Sequence, residues 1–138
     1  MKRVGLIFVI MFIFSVSVYA QAISITLSNS NEQGWLNSPE AGVSTRCWFR
    51  STTPILQSGV YSGQVSWMSS KNRPGIIIFG GPNNLSASRG IFIHVGNSPR
   101  DSDNCVVIPS NEMNKLYSEL ERIYGRNNTF RIRVEWDR

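Results

Sequence analysis

His94 is the chain's one histidine and Cys105 is one of its two cysteines; they bracket the segment His94-Val-Gly-Asn97-Ser-Pro-Arg100-Asp101-Ser-Asp103-Asn104-Cys105. An imidazole can draw the proton from a thiol, and the resulting thiolate attacks carbonyl carbon. The pair therefore suits nucleophilic acyl transfer. Asp101 and Asp103 are placed to orient His94 or to balance an imidazolium, with turn-forming Asx hydrogen bonds as the competing role. For a catalytic set, the types favour Cys105, His94 and Asp103. Asn97 and Asn104 carry amides that can donate to an oxyanion, and asparagine also tolerates the left-handed turn conformation. Arg89 and Arg100 flank the segment, and their guanidinium groups match a substrate carboxylate. One histidine and two separated cysteines fall short of zinc-ligand spacing, so neither a metal nor another cofactor is expected.

Cys47 offers Cys105 a different fate. Two cysteines in an exported chain commonly pair, and a Cys47–Cys105 disulfide would occupy the sulfur that the acyl-transfer reading needs. Both readings stand on the residues alone.

The flanking pattern is mainly that of strands. Ile23–Leu27 alternates apolar and polar residues, Val43–Phe49 sets Val43, Thr45, Cys47 and Phe49 on one face, and Thr129–Trp136 does the same with Phe130, Ile132, Val134 and Trp136. Arg131 and Arg133 alternate with that last set, as on the wet face of an edge strand. Gly75–Phe79 is continuously apolar between Pro74 and Gly80-Gly81-Pro82, which predicts a central strand. Pro54–Gly63 reads as a bend and a short strand continuing through Val65 and Trp67, and Trp35 and Leu36 fall in a polar loop. The apolar runs Gly90–Ile93 and Val106–Ile108 lie on either side of the His–Cys segment; strand, loop and strand would bring both groups to one end of a sheet. One helix is expected at 110–124, capped by Ser110, stopped by Gly125, and striped with Met113, Leu116, Tyr117, Leu120, Ile123 and Tyr124. The expected fold is mainly β, an antiparallel sheet or barrel-like sandwich, with one packed C-terminal helix.

Residues 1–20 read as a secretory signal: Lys2 and Arg3, an apolar run, then Val18-Tyr19-Ala20 at the cleavage position. The run is long for a leader and short for a span, which leaves an uncleaved anchor as the alternative. Cleavage leaves 21–138 as a single domain, exported to the periplasm or secreted, monomeric and free of the membrane. Losing Lys2 and Arg3 lowers the formal charge from +5 to +3. That mild excess suits an anionic envelope polymer or cell-wall peptide. No basic stripe with interleaved aromatics accompanies it, so nucleic acid is not the expected partner.

Gly90-Ile-Phe-Ile-His94-x-Gly96-Asn97-Ser-Pro-x-Asp101-x-x-x-Cys105-Val, with Cys47-Trp-Phe-Arg and Pro54-Ile-Leu-Gln-Ser-Gly59-Val-Tyr61 upstream, resembles the pattern I-H-x-G-N-x-x-x-D-x-x-G-C. That pattern marks a small family of single-domain phage and bacterial proteins to which no activity is attached. More remotely, the order histidine, loop, cysteine is similar to that of YkuD-like L,D-transpeptidases. That likeness implies a mainly β enzyme with Cys105 as nucleophile and His94 as base, cross-linking or trimming peptidoglycan stem peptides. The transpeptidase loop carries Ser/Thr-His-Gly before its cysteine, where this chain has Ser102-Asp103-Asn104. A catalytically silent envelope-binding or phage-associated accessory domain is the competing expectation.

Overall fold

The structure, a computed structural model, describes residues 21–28, 31–50, 56–89, 91–102 and 105–137. Residues 1–20, where a secretory signal is expected, lie outside the described residues, as do Asp103, Asn104 and the side chain of Arg89. Among those described, no helix is long and apolar enough to cross a membrane.

Eight strands close into a barrel: β1 (Ile23–Ser28), β2 (Gln33–Ser38), β3 (Val43–Trp48), β4 (Gly59–Met68), β5 (Arg73–Phe79), β6 (Phe92–Val95), β7 (Val106–Ile108) and β8 (Phe130–Asp137). Their order around the wall is β1-β2-β3-β7-β6-β5-β4-β8. Antiparallel pairs dominate, but β1–β8 and β6–β7 are parallel. The expectation of a mainly β fold with one helix is borne out, in its barrel form.

Alternation builds the interior. Ile23, Ile25 and Leu27 of β1, Ile76 and Ile78 of β5, and Ile132 and Val134 of β8 are all buried in one apolar cluster. Tyr61 joins them and satisfies its hydroxyl locally, donating to the Gln57 carbonyl at 2.9 Å and accepting from the Gln57 amide at 2.7 Å. Gly81, at φ 77°, leaves room for that ring; a Cβ there would lie 2.3 Å from it.

Three expectations about the strands need correction. Trp35 and Leu36 belong to β2, not to a loop. Its sequence Gln-Gly-Trp-Leu-Asn-Ser is poor in strand formers, yet pairing on both sides with β1 and β3 and full burial of Leu36 override propensity. The terminal strand is no edge: β8 is paired by β1 and β4, and Arg131 and Arg133 simply face solvent outside a closed wall. The His–Cys segment does not join an antiparallel pair, because β6 and β7 run parallel.

The helix α1 spans Ser110–Tyr124, as the stripe predicts. Its cap residue is Pro109 and Ser110 is the first helical position: Met113 N donates to Pro109 O at 2.9 Å, and proline's fixed φ suits the entry. Gly125, at φ 80°, ends it. Met113, Leu116 and Leu120 are buried, while Ile123 is 38% exposed because the stripe is wider than the surface it covers. The helix packs against β3, β4, β5 and β6. Lys115 donates to the Gly42 carbonyl, Tyr124 donates to Glu40, and Tyr117 meets Trp67 edge to face. These partners lie in the β2–β3 turn and at the end of β4, so α1 closes that mouth of the barrel.

Candidate functional site

His94 sits on β6 opposite Val107 of β7, with Ile93 opposite Val106 and Val95 opposite Ile108. Ile93, Val106 and Ile108 belong to the interior cluster, so His94 and Val107 occupy the outward face. Both are nonetheless buried, His94 to 1% exposure. The loop that leaves β6 at Gly96 folds back over the wall and covers them.

Four contacts hold that loop. Gly96 N donates to Ile108 O at 2.9 Å, and Asp101 Oδ2 accepts from the Asn97 amide at 2.9 Å. Buried Ser102 accepts through Oγ from the Arg50 amide at 2.9 Å, which ties the loop to the end of β3. Cys105 N donates to Ser102 O at 2.7 Å and starts the return into β7. Gly96 itself has no room for a side chain: a Cβ would lie 2.7 Å from the Cβ atoms of Asp101 and Val107.

Cys105 is 8% exposed, and its Sγ accepts a hydrogen bond from the Phe92 amide at 3.4 Å. It stands one residue ahead of β7, whose Val106 pairs with Ile93 and whose Val107 pairs with His94. The two segments meet in parallel register, not as two strand ends at a hairpin. Cys47 lies instead in the barrel interior, fully buried, its sulfur packed toward Gly34. Burial pushes its thiol up to about 12. Both cysteines are thiols, with no disulfide between them.

One edge of the His94 ring, at Nδ1, meets both a backbone carbonyl and the Arg73 guanidinium. Nδ1 lies 3.0 Å from the Val95 carbonyl and 3.4 Å from Arg73 Nη2. The carbonyl accepts only from a protonated Nδ1, whereas Arg73 donates only to an unprotonated one, so the tautomer decides which of the two contacts is a hydrogen bond. Burial lowers the imidazole below its usual pKa; the Val95 and Ser102 backbone contacts oppose that, and the charges of Arg73 and Lys71 add to it. The ring is thereby kept neutral, as a general base must be.

Beside this wall opens a polar cleft of about 460 Å³, lined by Lys71, Arg73, Val95, Gly96, Asn97, Arg100 and Asp101. Arg73 reaches it because β5 pairs antiparallel with β6, Ile76 opposite Ile93, which turns Arg73 to the same outward face as His94. Asn97 and Arg100 line the cleft. Asn97 is not in the left-handed region, where the described non-glycine residues are Glu32, Asn72 and Asn84. Asp101 binds the loop's own amide rather than His94, and those amide hydrogen bonds hold its carboxyl below the usual range. Of the flanking aromatics, Trp67 is 51% exposed and Trp48 half-buried opposite Val107.

Sequence reasoning missed Arg73, Lys71 and Ser102. The first two lie more than twenty positions from His94 and come to it only through strand pairing, which leaves no local signal; a serine in a polar loop gives no sign that it will be buried. Comparison of the chain with family models, with curated proteins and with solved structures finds no match.

Proposed function

We propose that this protein is an exported cysteine acyl-transferase or carboxypeptidase acting on peptidoglycan stem peptides, with Cys105 as nucleophile and His94 as base. One observation supports the reading: His94 lies on β6, Cys105 stands one residue ahead of the parallel neighbour β7, both are buried, and a cleft lined by three cations opens next to Val95 and Gly96. The neutral His94 ring takes the thiol proton, and the Cys105 thiolate attacks the substrate carbonyl carbon. The tetrahedral centre collapses to a thioester as the leaving amine, a terminal amino acid, receives the proton from the imidazolium. An acceptor amine or water then attacks the thioester, passes its proton through His94 and restores the thiol. Donors to the passing oxyanion come from the loop, and Asn97, which lines the cleft, supplies one of them in this reading. Purified protein should release or exchange the terminal D-amino acid of muropeptides, and Cys105→Ala should abolish this; turnover that survives Cys105→Ala rejects the reading.

Near-complete burial of His94 and Cys105 favours a second reading, an envelope-binding domain that keeps the loop without turnover. Iodoacetamide separates the two. Labelling of Cys105 in the native protein that falls in His94→Ala supports the enzyme, whereas a native protein that resists labelling supports the binding domain. Intact mass with and without reductant reports whether Cys47 and Cys105 are joined in exported protein.

A further inference from the structure

The cleft beside His94 sets three cationic side chains, Lys71, Arg73 and Arg100, against one carboxylate, Asp101. That carboxylate is already engaged, its Oδ2 accepting the Asn97 amide at 2.9 Å and the Ser98 hydroxyl at 3.5 Å. The ion pairs among the described residues join Arg122 to Glu119, Arg126 to Glu121 and Arg133 to Glu135; none involves a cleft cation. Arg73 Nε is also buried without a hydrogen-bond partner among the described residues. A shielded guanidinium donor costs free energy until an acceptor reaches it, and a carboxylate meets two of its N–H groups at once.

We propose that this cleft is the anion subsite for a short peptide bearing at least two carboxylates, with Arg73 as its bidentate anchor and Lys71 and Arg100 as flanking charges. The proposal deepens the acyl-transfer reading and rests on it only for the chemistry after binding. A volume of about 460 Å³ admits a few residues, not a folded partner. Asp101 stays ionised on the rim, and its negative charge disfavours densely charged phosphate chains while tolerating a peptide that also carries an amine. Asn97 supplies an amide for the peptide groups between the carboxylates.

Calorimetry on the Cys105→Ala protein tests binding apart from turnover. The probes are the stem tetrapeptide L-Ala-γ-D-Glu-meso-diaminopimelyl-D-Ala, the same peptide with every carboxyl amidated, and inorganic phosphate. The acid form should bind roughly 10- to 100-fold more tightly than the amidated form, and Arg73→Gln should remove a similar factor. Arg73→Lys should recover part of it, and Arg122→Gln on the outer side of α1 should change nothing. Should Arg73→Gln fail to fold, the exposed pair Lys71→Gln and Arg100→Gln replaces it with the same expectation. Equal affinity for acid and amide forms, no binding of either, or phosphate binding as tightly as the peptide overturns the proposal. Binding as expected without turnover in the parent protein keeps the subsite and rejects the acyl-transferase.

Discussion

His94 lies directly across a parallel ladder from Val107, and Cys105 stands two residues before Val107. A short crossover therefore starts at the strand that carries His94 and ends at Cys105, one residue ahead of that strand's parallel neighbour, with both residues buried. Parallel neighbours usually need a longer connection containing a helix. Here the 3-10 turn Pro99–Asp101 and the buried Ser102 anchor make the return.

If His94 is the base, its removal should act on chemistry more than on folding. His94→Gln is expected to slow iodoacetamide labelling of Cys105 at neutral pH and to lower muropeptide turnover by roughly 100-fold or more. A rate within a factor of two of the parent would assign His94 to loop anchoring alone.

The same ring makes stability depend on pH. Its folded pKa is lowered by burial, with Arg73 and Lys71 adding to the effect and Asp101 the nearby opposite charge. Above about pH 6.5, the ordinary histidine value, the ring is neutral in both states and its contribution is complete. As pH falls below that value the unfolded chain binds a proton that the folded chain refuses, so stability drops until the folded pKa is passed, by at most about 1.4 kcal/mol per pH unit. Urea midpoints should fall between pH 7.5 and pH 5.5, and His94→Gln should flatten that difference. An equal slope in the variant would place the proton elsewhere.

Ser102→Ala removes the buried hydroxyl that accepts the Arg50 amide, a part-buried hydrogen bond. The expected cost is about 1–3 kcal/mol in urea unfolding, and amide exchange in residues 96–102 should quicken with it. Unchanged exchange there would mean that the loop is held without this bond.

Gly96→Ala forces a methyl group to within 2.7 Å of the Cβ atoms of Asp101 and Val107. The loop must lift from β7, costing about 1–3 kcal/mol and weakening binding of a carboxylate peptide in the adjoining cleft. Calorimetry and thermal unfolding of the one variant read both effects, and retention of both parent values would show that the loop tolerates the shift.

Leu120 is fully buried on the helix that closes the barrel mouth. Leu120→Ala should cost about 2–5 kcal/mol, whereas Ile123→Ala, on the same helix but 38% exposed, should cost far less. Comparable losses at the two positions would mean that the helix packs in another orientation.

Much of this molecule is legible residue by residue. Period-two alternation in Ile23–Leu27 and Phe130–Trp136 reports which side chains face a core, and the stripe from Met113 to Leu120 reports a helix, because those patterns are properties of local backbone geometry. The pairing of an imidazole with a thiol around a turn-rich loop is likewise a matter of residue types. β2 was not legible: Gln33–Ser38 has little strand propensity, and two neighbours impose its conformation.

The amino-acid sequence by itself determined the β-rich content, the helix and its stop at Gly125, and the chemistry that His94 and Cys105 could perform. The tertiary structure alone decided that β6 and β7 run parallel, that β8 is closed in by β1, and that Cys47 points into the barrel while Cys105 stays outside the interior cluster. It also carried Arg73 and Lys71 to the histidine's side. Local patterns set the state of each segment, but strand order is chosen by the sum of contacts between distant segments. No window of sequence contains that sum.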